Sequence, residues 1–191
     1  KLRFPNVKNV FRFRAFNVKE ILLVLVAVFA LQQLMQAYMM AQELVPVTFP
    51  PFVQELIDKV KVMMEEMYRM LTTAHSIPEF LFVVLVIAAT PAVCEELLFR
   101  GLIQRTLEDE PPADTPQLQN SSPPTLHSNQ QRGLTAAIVA GVIFALYHLN
   151  PFTLVPLAAL GVYFGFVVYR TQNIITAMVA HFFNNFLACL P

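Results

Sequence analysis

Charge is scarce in this sequence: 14% of its 191 residues are Asp, Glu, Lys or Arg, the formal net charge is zero, and 56% are hydrophobic. An apolar excess of that size excludes a small soluble domain and points to an integral membrane protein. With no net positive charge, and nothing strongly basic beyond residue 20, nucleic acid is excluded as a partner. Trp is absent while Phe occurs 17 times, bulk that reads as lipid-facing. The two cysteines, Cys94 and Cys189, fall in apolar stretches, so no disulfide framework is expected and Cys94 reads as core. No segment alternates like a membrane strand and no internal repeat is evident. Neither a serine-nucleophile motif nor a His-Glu-x-x-His arrangement occurs.

What is present reads as an all-α, polytopic transmembrane bundle of about five spans plus an amphipathic interfacial helix. Residues 1–20 carry six Lys and Arg between phenylalanines and form a basic membrane-flanking segment. Residues 21–77 hold a first span, Ile21 to Gln42, with no convincing cleavage site for a signal peptide. The same segment holds a helix from Phe52 to Thr73 with one apolar and one charged face. That helix is expected along the interface or over the bundle, with binding of a membrane-protein partner as the alternative. Residues 78–191 form the remaining core. It has a long second span ending near Glu108 and a polar, proline-rich loop at 109–131. Third and fourth spans split at Asn150-Pro151, and a fifth runs from about Asn173 to Leu190. Gly161 and Gly165 form a small-xxx-small pair that allows close helix packing. His75 and His127 read as solvated residues outside the spans. Basic residues cluster before the first span and around the long loop, so the N-terminus and the 109–131 loop are expected in the cytoplasm.

Within this apolar background a few polar residues interrupt the spans. Glu95, Glu96 and Arg100 lie in the second, Phe144 and His148 in the third, His181 and Asn185 in the fifth. Ionisable groups at such depth are costly and persist mainly where they work. Residues four apart share a helix face, so Glu96 is expected to pair with Arg100 and leave Glu95 free for a cavity. A rise of about 1.5 Å per residue places Glu95 about 20 Å, His148 about 24 Å, His181 about 14 Å and Asn185 about 20 Å from the loop-side edge. A shielded carboxylate with nearby imidazoles suits hydrolysis by activated water, with Glu95 as base, His148 as proton relay, and His181 and Asn185 as oxyanion donors. Zinc is the rival occupant, since two His and a Glu are legitimate ligands, although the spacing favours a site with no metal and no cofactor. A non-catalytic scaffold or partner subunit, and a proton-coupled transporter, remain the alternative functions.

The three motifs resemble those of the CPBP family, the CAAX proteases and bacteriocin-processing enzymes that include type II CAAX prenyl endopeptidases. Glu95-Glu96-Leu97-Leu98-Phe99-Arg100 resembles the family's Glu-Glu-x-x-x-Arg, Phe144 to His148 its Phe-x-x-x-His, and His181 to Asn185 its His-x-x-x-Asn. The resemblance covers about residues 78–190 and implies a glutamate intramembrane protease acting on a peptide or protein substrate. It implies that Glu95 and His148 activate water and that His181 and Asn185 stabilise the oxyanion. Glu96, Arg100 and Phe144 then support the site. The chain departs from the family in having about five spans where about eight helices are common, and in its long loop between the first two motifs.

Overall fold

The computed structural model describes residues 11–15, 17–45, 49–108 and 126–190. Residues 1–10 of the basic flank and 109–125 of the long loop lie outside that set.

Among the described residues, six helices make up the fold. Helix α1 (Val18–Leu44) starts where the Asn17 side chain accepts from the Lys19 amide at 3.0 Å, and it carries Glu20 in its first turn. Helix α2 (Pro51–Thr72) opens on proline, which has no amide to leave unpaired there. Helix α3 (Ile77–Glu108) begins with a reciprocal cap: the Glu79 amide donates to Ser76 Oγ at 3.4 Å and the His75 amide donates to Glu79 Oε2 at 2.8 Å. Helix α4 (Leu126–Tyr147) joins α5 (Leu154–Thr171) through a tight turn in which Asn150 Oδ1 accepts from the Phe152 amide. Gln172, left-handed at φ 51°, ends α5, and Asn173 caps α6 (Ile174–Ala188) through the Ile175 amide.

Among the described residues, α1, α3 and the segment Pro151–Thr171 containing α5 are long and apolar enough to cross a membrane. The other two expected spans also form as helices. Helix α6 has 15 residues, about 22 Å of rise against a hydrocarbon layer of about 30 Å. Helix α4 starts inside the expected loop: residues 126–131 are helical, and His127 sits in the first turn rather than in a loop.

The core lies where α1, α5 and α6 meet, at Val28, Leu160, Phe164, Val167, Val168, Ala177 and Ala180. Helices α4 and α5 approach most closely of all. A Cβ on Gly141 would lie 2.4 Å from the Val162 nitrogen, and one on Gly165 would lie 3.0 Å from the Ala137 carbonyl oxygen. The glycine pair expected on α5 thus packs as a backbone contact, with Gly141 opposite Gly161 and Ala137 opposite Gly165. Helix α2 buries none of its residues. It touches the rest of the chain where Tyr68 Oη donates to the Ala188 carbonyl at 2.8 Å and Lys61 pairs with Glu43 at 3.2 Å.

Helix α3 is not a plain α-helix. Two π segments, Val84–Ala89 and Leu97–Gln104, interrupt it. Pro91 has no amide hydrogen for the carbonyl of Ile87 four residues back, and the first π segment absorbs that break. Thr90 Oγ1 donates to the Leu85 carbonyl at 2.9 Å in the same turn. Cys94, expected in the core, is exposed on the outside of the helix, whereas Cys189 is buried.

Candidate active site

Helix α3 presents its two glutamates to different surroundings, because adjacent residues on a helix point about 100° apart. Glu96 is fully buried, and its Oε1 accepts from Arg100 Nη1 at 3.0 Å. Arg100, itself 1% exposed, donates through Nη2 to the Gly161 carbonyl at 2.6 Å. Its guanidinium carbon also lies 4.9 Å from the ring centre of Phe144 and 5.5 Å from that of Phe164. One turn further, Gln104 Nε2 donates to the Gly165 carbonyl at 3.1 Å. Side chains on α3 thus satisfy carbonyls of α5 at the two glycines where the helix surface is bare.

Glu95 faces the other way. Its side chain keeps 20% of its exposure, and its buried Oε2 accepts no hydrogen bond among the described residues. Two imidazole nitrogens face that oxygen, His148 Nε2 at 4.0 Å and His181 Nε2 at 3.8 Å. Each is too far for a direct hydrogen bond. The opposite nitrogen of each ring is held. His148 Nδ1 lies 2.8 Å from the Phe144 carbonyl, which can only accept, so a proton on Nδ1 completes that hydrogen bond and leaves Nε2 facing Glu95. His181 Nδ1 lies 2.9 Å from Glu96 Oε1, and its ring stacks on Phe164 with centres 5.0 Å apart and planes 20° apart.

Three of the four residues expected to converge therefore do so: Glu95, His148 and His181. Asn185 follows His181 by one turn on the same face, and its carboxamide is engaged elsewhere. Asn185 Nδ2 donates to the Ile87 carbonyl at 3.1 Å, the carbonyl that Pro91 cannot serve, and its Oδ1 accepts from Asn184 Nδ2 at 3.1 Å. The expected pairing of Glu96 with Arg100 is present. Phe144 lies against His148 and His181, with ring centres 4.6 and 5.8 Å away. The sequence reading missed the Glu96 to His181 contact, the Phe164 stack and the Gln104 anchor. A polar residue four beyond Arg100 was the available signal for Gln104. Among the described residues, no group of three or more His, Cys, Asp or Glu side chains is arranged to hold a metal ion.

Apolar helices long enough to cross a bilayer define an integral membrane protein, and within its bundle two imidazoles lie within 4.0 Å of the Glu95 carboxylate. The family model described as type II CAAX prenyl endopeptidase Rce1-like matches residues 77–187, more than half of the chain. The chain belongs to that family, a family of membrane-embedded peptidases, and the match contains every residue of the cluster. No curated protein and no solved structure matches the chain.

Proposed function

We propose that the chain is a glutamate-type intramembrane endopeptidase in which Glu95 and His148 activate a water molecule. The observation that carries this reading is the buried Glu95 Oε2 with two imidazole Nε2 atoms at 4.0 and 3.8 Å, a spacing one water can bridge. Glu95 takes the proton as the water oxygen bonds to the scissile carbonyl carbon, and His148 Nε2 accepts a hydrogen bond from the same water. The tetrahedral intermediate collapses with cleavage of the scissile C–N bond as Glu95 passes the proton to the leaving amine nitrogen. His181, held at Nδ1 by Glu96, turns Nε2 towards the carbonyl oxygen that becomes the oxyanion, a role that requires a proton on Nε2 during the reaction. Asn185 supports the same end of the site with the N–H that the Ile87 carbonyl does not use.

Glu95→Gln, reconstituted in vesicles with an internally quenched peptide in farnesylated and unmodified forms, is expected to lose about 10²- to 10⁴-fold in kcat, the usual worth of a general base. His148→Ala is expected to fall in the same range, and His181→Ala to lose about 10²- to 10³-fold as an oxyanion donor. Wild-type rates in Glu95→Gln, with comparable folded protein, reject the mechanism. Because the reading uses side chains alone, EDTA is expected to leave the rate unchanged, and a chelator-sensitive rate restored by zinc rejects it in favour of a metal hydrolase. The reading commits to peptide hydrolysis in both forms of the probe and assigns no prenyl requirement. The apolar face of α2 is read as lipid-facing rather than partner-facing. The N-terminus is placed in the cytoplasm on the asymmetry of Lys and Arg.

A further inference from the structure

Residues 11–15 do not lie free as a basic flank on the lipid surface; they cross the end of the bundle opposite the α4–α5 turn. The Phe11 ring fills the space left by Gly101 on α3, where a Cβ would come within 2.4 Å of Phe11 Cδ1. Arg12 forms an ion pair with Glu108 at the end of α3, the two side chains being 9% and 11% exposed. The Arg12 carbonyl accepts from the Ile174 amide at 3.3 Å, and the Arg14 amide donates to Asn173 Oδ1 at 3.4 Å, both at the start of α6. Arg12 makes these contacts with a left-handed backbone, φ 53°, uncommon for a residue with a side chain and sustained only where its surroundings enforce it. Glu108 is held in turn by Gln104 Nε2 at 2.9 Å.

We propose that this strap is a positioning element for the candidate site, with Arg12 as its central residue. It ties the Glu108 end of α3 to the Asn173 end of α6 and so sets the spacing of the helices that carry Glu95 and His181. The proposal rests on Glu95 and His181 forming one site. The lever arms are short: Gly101 lies six residues from Glu95 and Ile174 seven from His181, about 9 and 10 Å along their helices. The 3.8 Å separation of Glu95 Oε2 from His181 Nε2 is a distance between two helices, tied at the site by the Glu96 to His181 and Asn185 to Ile87 contacts and at the end of the bundle by the strap. Misplacement of a reacting group by about 1 Å can cost about 10²-fold in rate. Glycine at 101 fits the same reading. In a helix interior it weakens the helix relative to alanine, and here its missing Cβ admits the Phe11 ring.

The test uses the full chain in lipid vesicles with the quenched peptide, comparing Arg12→Ala, Arg12→Lys, Arg12→Glu, Glu108→Arg and the charge-swapped pair Arg12→Glu with Glu108→Arg. Arg12→Ala and Arg12→Glu are expected to lower kcat about tenfold or more per folded molecule, with KM unchanged; because loss of folded protein lowers the apparent kcat in the same way, the rate is normalised to the folded fraction measured by size-exclusion chromatography and circular dichroism. Arg12→Lys and the charge swap are expected to recover at least about half of kcat. A second readout needs no activity: spin labels at positions 102 and 178, in a Cys94→Ser, Cys189→Ser background, report the α3 to α6 distance. Its distribution is expected to broaden in Arg12→Glu and narrow again in the swap. An unchanged distribution in Arg12→Glu, or a broadened one with wild-type kcat, overturns the proposal. A wild-type chain that cleaves neither peptide counts against the proposed function alone, and the distances still decide whether the strap sets the helix spacing.

Discussion

At the residue scale, two adjacent glutamates are put to different uses by a rotation of about 100° between neighbouring side chains. Glu96 and Arg100 form an ion pair with no exposure on either side, and Glu96 also holds His181. Removing one partner of such a pair strands the other charge away from water, so Glu96→Ala and Arg100→Ala should each cost about 3–5 kcal/mol in unfolding followed in detergent. Glu95, one-fifth exposed and with no hydrogen bond to Oε2 among the described residues, should tolerate Gln with a change under about 1 kcal/mol. Comparable destabilisation by Glu95→Gln and Glu96→Ala contradicts this division. The Glu96 to Arg100 pair was legible in the sequence because helical neighbours four apart follow from geometry alone. The Glu96 to His181 contact was not, since it joins residues 85 apart in the chain and depends on how two helices rotate against each other.

At the element scale, Pro91 connects helix geometry to the site. It cannot donate to the Ile87 carbonyl, and that carbonyl receives the Asn185 amide instead. Pro91→Ala restores an intrahelical donor, so it should lower kcat, by about tenfold if Asn185 shifts by a fraction of an ångström, while leaving the thermal midpoint unchanged or raised. A lowered midpoint with unchanged kcat contradicts that role. The α4–α5 contact gives a second prediction. Gly141→Ala puts a Cβ against the Val162 backbone, which cannot step aside as a side chain could, and overpacking of this kind costs about 1–3 kcal/mol. Unfolding of the variant measures it, and an undiminished midpoint counts against so close an approach. The apolar face of α2 was readable from its periodicity. The π segments were not. A proline inside an apolar run signals a break in the helix but not whether the chain kinks, bulges or stops.

At the scale of the whole molecule, the membrane character follows from composition, and the family match over residues 77–187 agrees with the motifs that pointed to it. The number of helices able to cross alone was less legible. Polar residues at the start of α4 and the 15-residue length of α6 leave α1, α3 and the α5 segment as the long apolar ones among those described. The burial of Arg12 escaped a reading in which basic residues near a span face lipid headgroups, because its partner Glu108 lies 96 residues away. Orientation is tested by single cysteines at positions 131 and 75 in a chain lacking Cys94 and Cys189. An impermeant maleimide added to intact cells should label position 75 and spare position 131, and the reverse pattern inverts the assigned topology. The most direct test of the account is an experimental structure of the wild-type chain in lipid at a resolution that shows ordered water. One water oxygen is expected within about 2.7–3.2 Å of both Glu95 Oε2 and His148 Nε2, with His181 Nε2 on the same cavity. Glu95 Oε2 bonded directly to a protein donor, or turned towards the acyl chains, contradicts it.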